Sequence, residues 1–197
     1  MEDSFRIGEV VTSSTSRFTT QCYELYVLPP LGSLIKTREG PNDIFAVVSR
    51  AETSSLEPGR RAVVRGQNQE SEEEIYTSSP HLEKLLKSEF EAIIVGHRQE
   101  EHILCYLPPR PPRIHGFVYL CSAQEVTEFT SSFEFLDLLV NTQLDIPSEE
   151  LIAACLREIS QNVEDKETIL VQAGRYLAGI LSNDTRRLKS ILNRIRL

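Results

Sequence analysis

The sequence contains no long apolar run. No segment approaches the roughly 20 consecutive apolar residues that cross a bilayer. Residues 1–4 offer neither the basic nor the apolar region of a secretory signal. These absences predict a chain without a membrane span, and they favour a cytoplasmic location.

Motifs that carry chemistry are also missing. The stretch richest in glycine and arginine, residues 59–66, has no Gly-Lys-Ser/Thr ending that would reach a phosphate and magnesium. A Gly-x-Ser-x-Gly elbow, a His-Glu-x-x-His pair and a Rossmann glycine pattern do not occur. We therefore predict that the protein is not an enzyme and has no catalytic residues and no cofactor. An active site assembled from residues far apart in the sequence stays open as an alternative.

Cysteines close together in sequence are absent too. The four cysteines are Cys22, Cys105, Cys121 and Cys155. They form no Cys-x-x-Cys pair, and a chain of this length does not need disulfides, so we predict reduced, buried thiols. One candidate set of zinc ligands is His97, His102 and Cys105 on a predicted hairpin. The spacing fixes neither their faces nor a fourth ligand, so no metal site is predicted.

Charge is unevenly distributed along the chain. The 197 residues carry a net charge of -8, yet residues 175–197 hold six basic residues and one acid, a local net charge of +5. Binding to DNA or RNA depends on Lys and Arg that displace counterions from phosphates. The overall negative charge therefore argues against a general nucleic-acid binder.

Short β-forming segments fill residues 1–120. They are rich in Val, Ile, Tyr and Phe, and most are bounded by Pro, Gly, Ser or Asn. The predicted strands cover residues 6–12, 22–28, 33–38, 44–51, 92–97, 102–107 and 115–120. The pair 92–97 and 102–107 is predicted to form a hairpin that helps close the sheet. Short strands at close spacing favour a small β-barrel.

A polar region separates the fourth and fifth predicted strands. Residues 67–74 include four glutamates and are predicted to form a mobile, solvated acidic loop. The run lacks the glycine-punctuated alternation of a calcium loop, so no cation site is expected there. A short helix is predicted over residues 81–87, with Ser79 and Pro80 as its start signal.

From residue 121 the pattern becomes helical. Ser131 followed by Glu134 has capping-box spacing and predicts a helix start, and the apolar residues that follow have the helical period. The expected starts of three further helices are Ser148, Asp165 and either Asn183 or Asp184. The predicted fold class is therefore α+β: a barrel domain over residues 1–120, then a helical bundle over residues 121–197.

The last predicted helix combines an apolar stripe with basic residues. Its candidate interaction surface consists of Arg186, Arg187, Lys189, Arg194 and Arg196. We favour a helix that packs its stripe on the bundle and displays a basic surface. Docking on an acidic partner, on anionic lipid or on the chain's own acidic body stays open.

Several short segments follow one another in an order typical of a known family. They are residues 5–15, Phe-Arg-Ile-Gly-Glu-Val-Val-Thr-Ser-Ser-Thr; residues 31–35, Leu-Gly-Ser-Leu-Ile; residues 44–48, Ile-Phe-Ala-Val-Val; and residues 115–118, His-Gly-Phe-Val, which follow a proline-rich stretch. This order resembles the HAS-barrel family, the barrel of HerA-type ATPases and of the N-terminal parts of ATP synthase α and β subunits. Ser33 departs from the acidic residue that is usual in the family's turn.

The resemblance implies a barrel that mediates ring or subunit contacts and does no chemistry. Where the family's ATPases continue into a P-loop domain, the segment that follows here is helical. We therefore expect a protein-interaction or assembly module whose barrel forms homo-oligomers or docks on a larger complex, such as one containing a P-loop ATPase. The alternative is an accessory factor that binds nucleic acid or anionic lipid through the basic C-terminal helix.

Overall fold

The strands of this protein close into a ring. The computed structural model describes residues 5–57 and 59–195, and this part of the chain contains seven strands. They are β1 (Arg6–Ser13), β2 (Arg17–Cys22), β3 (Leu34–Glu39), β4 (Asn42–Ser55), β5 (Leu86–Gln99), β6 (His102–Leu104) and β7 (Phe117–Leu120). Six of them pair antiparallel in the order β1-β7-β3-β4-β5-β2, and β2 pairs back to β1. The six-stranded ring is therefore a closed barrel.

The inside of the barrel is filled by apolar side chains. Because successive side chains point to opposite faces, burial alternates along β2, where Phe18, Thr20 and Cys22 are buried. The inward cluster consists of Ile7, Val10, Phe18, Cys22, Ile35, Ile44, Ala46, Val48, Phe90, Ala92, Ile94 and Val118. A barrel this small has an interior that side chains fill, so its lumen is core rather than a ligand site.

Helices account for most of the remaining described chain. They are α1 (Glu72–Ser78), a 3-10 helix (Pro80–Leu85), α2 (Ala123–Phe129), α3 (Phe135–Asn141), α4 (Ser148–Gln161), α5 (Lys166–Ile180) and α6 (Thr185–Ile195). Within residues 5–57 and 59–195, no helix combines the length and apolar character needed to cross a bilayer. The predicted α+β class with a β-barrel is confirmed.

A second apolar core lies between the barrel wall and the helices. The outward side chains of three adjacent strands, β3, β4 and β5, are buried together with side chains of α2 to α6. On the strands these are Leu34, Phe45, Val47, Ile93 and Val95. The Phe45 ring lies 5.0 Å from the Phe129 ring of α2, centroid to centroid. The outer wall of the barrel and the five helices that follow it are therefore packed around this second core.

Charged side chains fasten α2 to the same wall. Lys36 of β3 is almost fully buried, and its ammonium donates to the Glu125 carboxylate. Burial would raise the pKa of Glu125, but the hydrogen bonds from Lys36 and Ser122 lower it below its ordinary value. Ser122 and Glu125 also form the capping box that starts α2.

Helix α4 and the barrel approach each other closely at Gly32. This residue has a positive φ of 89°, and a Cβ on it would lie 2.4 Å from the Cys155 nitrogen and 2.5 Å from the Ala154 carbonyl carbon. Only glycine has both the conformational freedom and the lack of a side chain that this contact requires.

Most predicted elements are confirmed. β1, β3, β4, β5 and β7 overlap the predicted strands, although β5 begins six residues earlier than predicted, and α4 starts at Ser148 as expected. Asp165 accepts a hydrogen bond from the Thr168 N–H at 3.0 Å and caps α5. Of the two alternatives for α6, Asp184 accepts from the Arg187 N–H at 3.1 Å.

The strand predicted over residues 22–28 is wrong. β2 ends at Cys22, and the chain then turns through Tyr26, whose φ of 67° does not fit a strand. The strand lies earlier, over Arg17–Cys22, where threonines and a glutamine dilute the apolar signal of Phe18.

The predicted hairpin forms, but it does not close the barrel. β6 pairs only with β5, outside the ring. Closure comes instead from the other end of β5, whose residues Glu89 to Ile93 pair with β2. The hairpin therefore adds β6 to the outside of the ring and is not part of the barrel closure.

Part of the predicted acidic loop is helical. Glu72, Glu73 and Glu74 form the exposed first turn of α1, because carboxylates are favourable at the positive end of a helix. The helix predicted over residues 81–87 is a 3-10 helix, since the chain enters β5 at Leu86.

The predicted capping box at Ser131 and Glu134 is wrong as well. The box that forms, at Ser122 and Glu125, starts α2 nine residues earlier. Glu134 does precede α3, but its side chain makes no capping hydrogen bond. The capping-box spacing therefore identified the wrong serine, and α3 begins without a side-chain cap.

We predict that Gly32→Ala destabilises the protein more than Gly40→Ala does. Gly40 also has a positive φ, 60°, but a Cβ there meets nothing within 4 Å. Gly40→Ala should cost about 1–2 kcal/mol for the left-handed backbone alone. Gly32→Ala adds a clash with the α4 backbone and should cost at least about 3 kcal/mol. Urea unfolding measures both, and equal losses would contradict the close α4 contact.

Candidate functional site

Half of the barrel wall is not covered by helices. β1, β2 and β7 are neighbours in the ring, and the core beneath the helices contains none of their residues. We call their outward side the open face. Two aromatic rings lie exposed there, Tyr23 at 48% and Phe117 at 44% of their full accessible surface. The open face is therefore a surface on which large side chains are available for contact.

Arg6 joins the two rings into one cluster. Its guanidinium carbon lies 4.5 Å from the centroid of Phe117 and 5.2 Å from that of Tyr23. The antiparallel register of β1 and β7, in which Glu9 is opposite Phe117, brings these residues together. A guanidinium over a ring face is attractive by about 0.5–1 kcal/mol at an exposed site. The Arg6 guanidinium thus contacts both rings and favours this arrangement of the three side chains.

Glu9 extends the cluster with two hydrogen bonds. Its carboxylate accepts from the Tyr23 hydroxyl at 2.9 Å and lies 3.0 Å from the His115 Nδ1. The bonds with His115 and Tyr23 lower the pKa of Glu9, so it is ionised at neutral pH. Arg6, Glu9, Tyr23, His115 and Phe117 together form what we call the open-face cluster.

The open-face cluster has the chemistry of a protein contact. Aromatic residues and arginine are enriched at the centres of protein interfaces, where a few of them contribute most of the binding energy. Side chains already held by their neighbours lose less entropy on binding. Nothing in the sequence alone could reveal this cluster, because it depends on the register of strands about a hundred residues apart.

The predicted C-terminal basic surface is partly used inside the protein. Arg187 donates to the Glu149 carboxylate, to the Ser148 hydroxyl at 2.8 Å and to the Val140 carbonyl at 3.1 Å. Arg194 donates to the Glu150 carboxylate at 2.9 Å. These two arginines therefore attach α6 to α4.

The other members of that surface differ. Arg186 and Lys189 are exposed and take part in no ion pair within the described residues. Arg196 lies outside the described residues. Ile191 and Ile195 of the apolar stripe are buried against the helices. On the described chain, the part of the surface without an ion pair is thus reduced to Arg186 and Lys189.

The four thiols are free, and their environments make them poor nucleophiles. Burial raises the pKa of Cys22 to about 11 and that of Cys155 to about 12. Burial also raises the pKa values of Cys105 and Cys121. A thiolate is the reactive form, so none of these groups is activated at neutral pH.

The candidate zinc ligands lie in different environments. His97 is buried at one end of the barrel, with its Nδ1 3.1 Å from the Tyr106 carbonyl oxygen, whereas His102 is exposed. Across residues 5–57 and 59–195, no three His, Cys, Asp or Glu side chains are grouped to hold a metal ion. His97 borders a cavity of about 270 Å³ together with Glu39 and Asn42.

Comparison with known proteins adds no family to this picture. No protein-family model matches the chain, and no curated protein matches it either. The likeness to HAS-barrels therefore stays a prediction from the sequence.

We expect Arg187→Ala to destabilise the fold while Arg186→Ala leaves it unchanged. Arg187 makes hydrogen bonds to three groups of α3 and α4, and its removal leaves the half-buried Glu149 without its cation. The loss should be about 2 kcal/mol, whereas Arg186 should cost less than about 0.5 kcal/mol. Chemical denaturation of both variants measures this. Equal stabilities would mean that α6 is held by its apolar stripe alone.

The Arg187–Glu149 pair should also make stability depend on pH. Burial would raise the pKa of Glu149, but the Arg187 hydrogen bond lowers it below its ordinary value of 4.5. A carboxyl whose folded-state pKa is lowered stabilises the fold above its unfolded-state pKa and loses this effect as pH falls through the folded-state value. The stability difference between wild type and Glu149→Gln should therefore shrink below about pH 4. A difference that stays constant with pH would contradict the pair.

Proposed function

We propose that this protein is a non-catalytic interaction module whose barrel docks on a protein partner through the open face. The observation that carries this proposal is the open-face cluster, an arginine held between two exposed aromatic rings on the half of the barrel that the helices leave uncovered. The other half of the wall is buried under the helices. One side of the barrel is therefore covered by the helices, and the opposite side is available for contact.

The filled lumen and the inactive thiols agree with a role in binding. The barrel interior is occupied by large side chains such as Phe18 and Phe90, so a ligand has no room there. The described chain groups no metal ligands, and its cysteines are held as thiols. These features favour an interaction protein over an enzyme.

We further propose a division of labour along the chain. The N-terminal barrel, residues 1–120, makes the contact, and the C-terminal helical bundle, residues 121–197, braces the opposite wall. The resemblance to HAS-barrels supports a partner that forms rings, such as a P-loop ATPase, or a homo-oligomer of this chain. A cytoplasmic location would suit such a role.

The alternative, an accessory factor that binds nucleic acid or anionic lipid through α6, has less support. Binding to phosphates needs several free cations. Arg187 and Arg194 are engaged with Glu149 and Glu150 of the same chain. The net charge of -8 opposes such binding as well.

The test compares wild type with the double variant Tyr23→Ala/Phe117→Ala. Val171→Ala is the matched control, because Val171 lies on α5 and has a similar exposure of 47%. Each tagged protein is expressed in the native cell, purified at low salt and read by mass spectrometry. A partner bound by wild type and the control should be reduced at least about tenfold with the double variant.

The double variant must also be as stable as wild type, so that a lost partner is not caused by unfolding. Both rings are largely exposed, so the double variant should unfold at nearly the same urea concentration as wild type. If the double variant keeps every partner that wild type and the control bind, the open face is not the contact surface and the proposal fails.

A further inference from the structure

An arm projects from the barrel between β4 and β5. β5 pairs with β2 only from Glu89 onward, so Leu86 to Ser88 pair with β4 alone. We call this end of the hairpin, with the chain that connects its strands, the arm. Its helical part touches the barrel body at Tyr76, whose hydroxyl lies 2.5 Å from that of Tyr26. The arm therefore contacts the barrel body through α1, and its residues Arg61, Val63 and Arg65 border a cavity of about 190 Å³ within the arm.

Residues 62–65 of the arm form an exposed segment whose backbone N–H groups have no hydrogen-bond partner among the described residues. Val63 and Val64 are 75% and 88% exposed, more than any other large apolar side chain in the described residues. Within that part of the chain, no backbone N–H of residues 62–65 donates a hydrogen bond. A segment with bare valines and free donors gains from contact with another surface.

The arm has exposed charged side chains of both signs that form no ion pair among the described residues. Arg61 and Arg65 flank the two valines, and neither takes part in an ion pair among the described residues. The same holds for Glu72 and Glu73 on the exposed first turn of α1. Arg60 differs, because it pairs with Glu57 at 2.9 Å. One arm thus presents a basic segment and an acidic one, neither of which is neutralised within the described chain.

We propose that two copies of this protein dimerise through their arms. A two-fold axis places the basic segment of each copy against the first turn of α1 in the other, so every contact is made twice. Arg61 and Arg65 then meet carboxylates, and Val63 and Val64 leave water. A surface with both charges in neighbouring positions is complementary to a copy of itself.

A lipid surface suits the arm less well. Residues 57–74 hold three arginines and five glutamates, a net charge of -2. Anionic membranes attract segments in which basic residues prevail, and they repel exposed carboxylates. The mixed charges therefore favour a protein surface over a membrane.

The arm contact is separate from the open face. The open-face cluster lies on β1, on β7 and on Tyr23 and His115 next to the strands, whereas the arm extends from β4 and β5. An arm dimer would carry two open faces, which raises the avidity for a partner with repeated sites. The inference therefore adds to the proposed function, and each can fail without the other.

The experiment uses two charge-reversal variants of the full chain. Arg61→Glu/Arg65→Glu makes the basic segment acidic, and Glu72→Lys/Glu73→Lys makes the first turn of α1 basic. Light scattering during size exclusion at low salt should show wild type as a dimer and each variant alone as a monomer. An equimolar mixture of the two variants should form a dimer again, because their arms are then complementary.

Two controls test whether loss of the dimer is specific to the arm or follows from any change in net charge or any exposed valine. Arg186→Glu/Lys189→Glu reverses the same number of exposed basic residues on α6 and should leave the dimer intact. Val64→Asp should raise the dimer dissociation constant at least about tenfold, whereas Val171→Asp, on α5, should not. Higher salt should weaken the dimer, because exposed charges are screened.

Several results would overturn the inference. A monomeric wild type at every concentration, reversal variants that remain dimers, or a mixture that stays monomeric would each do so. Loss of the dimer in Tyr23→Ala/Phe117→Ala, with the arm variants unaffected, would assign self-association to the open face. Sedimentation of a monomeric wild type with anionic vesicles, lost in Arg61→Glu/Arg65→Glu, would assign the arm to lipid.

Discussion

Burial of the outer side of β3, β4 and β5 under the helices is the interaction on which the rest of the structure depends. Phe45 packs on Phe129, which in turn lies 5.1 Å from Phe135, so strand and helices form one continuous apolar layer. Each such side chain contributes about 1.5–3 kcal/mol when fully buried. The three strands are consequently buried on both faces over much of their length, and the sheet loses part of its packing if the helices leave.

This one-sided burial also explains the polar side of the molecule. Strands with one buried face alternate between apolar and polar residues, and their outward positions can carry large or charged side chains. β1 and β7 follow this rule, with Val10 and Val118 inside and Arg6 and Phe117 outside. The helices cover one wall, and the outward side chains of the opposite wall remain in contact with solvent.

Sequence patterns predict the doubly buried elements best. Ile44 to Val48 form an unbroken apolar run, which a strand buried on both faces requires. β2 is missed because its inward Thr20 is buried without any apolar signal. The open-face cluster cannot be read from the sequence, since its rings are neighbours only after β7 has inserted beside β1. Likewise, a list of basic residues on α6 cannot show that Arg187 is bound to Glu149.

The order of strands in the ring affects how the chain folds during synthesis. β7 lies between β1 and β3, so the facing edges of those two early strands have no partner until Leu120 has been made. About 80 residues separate the end of β3 from the end of β7, which a ribosome adds in roughly 4–16 s. Unpaired strand edges are sites of aggregation. The nascent chain therefore spends seconds with the facing edges of β1 and β3 unpaired, and these two edges are covered only when β7 has been made.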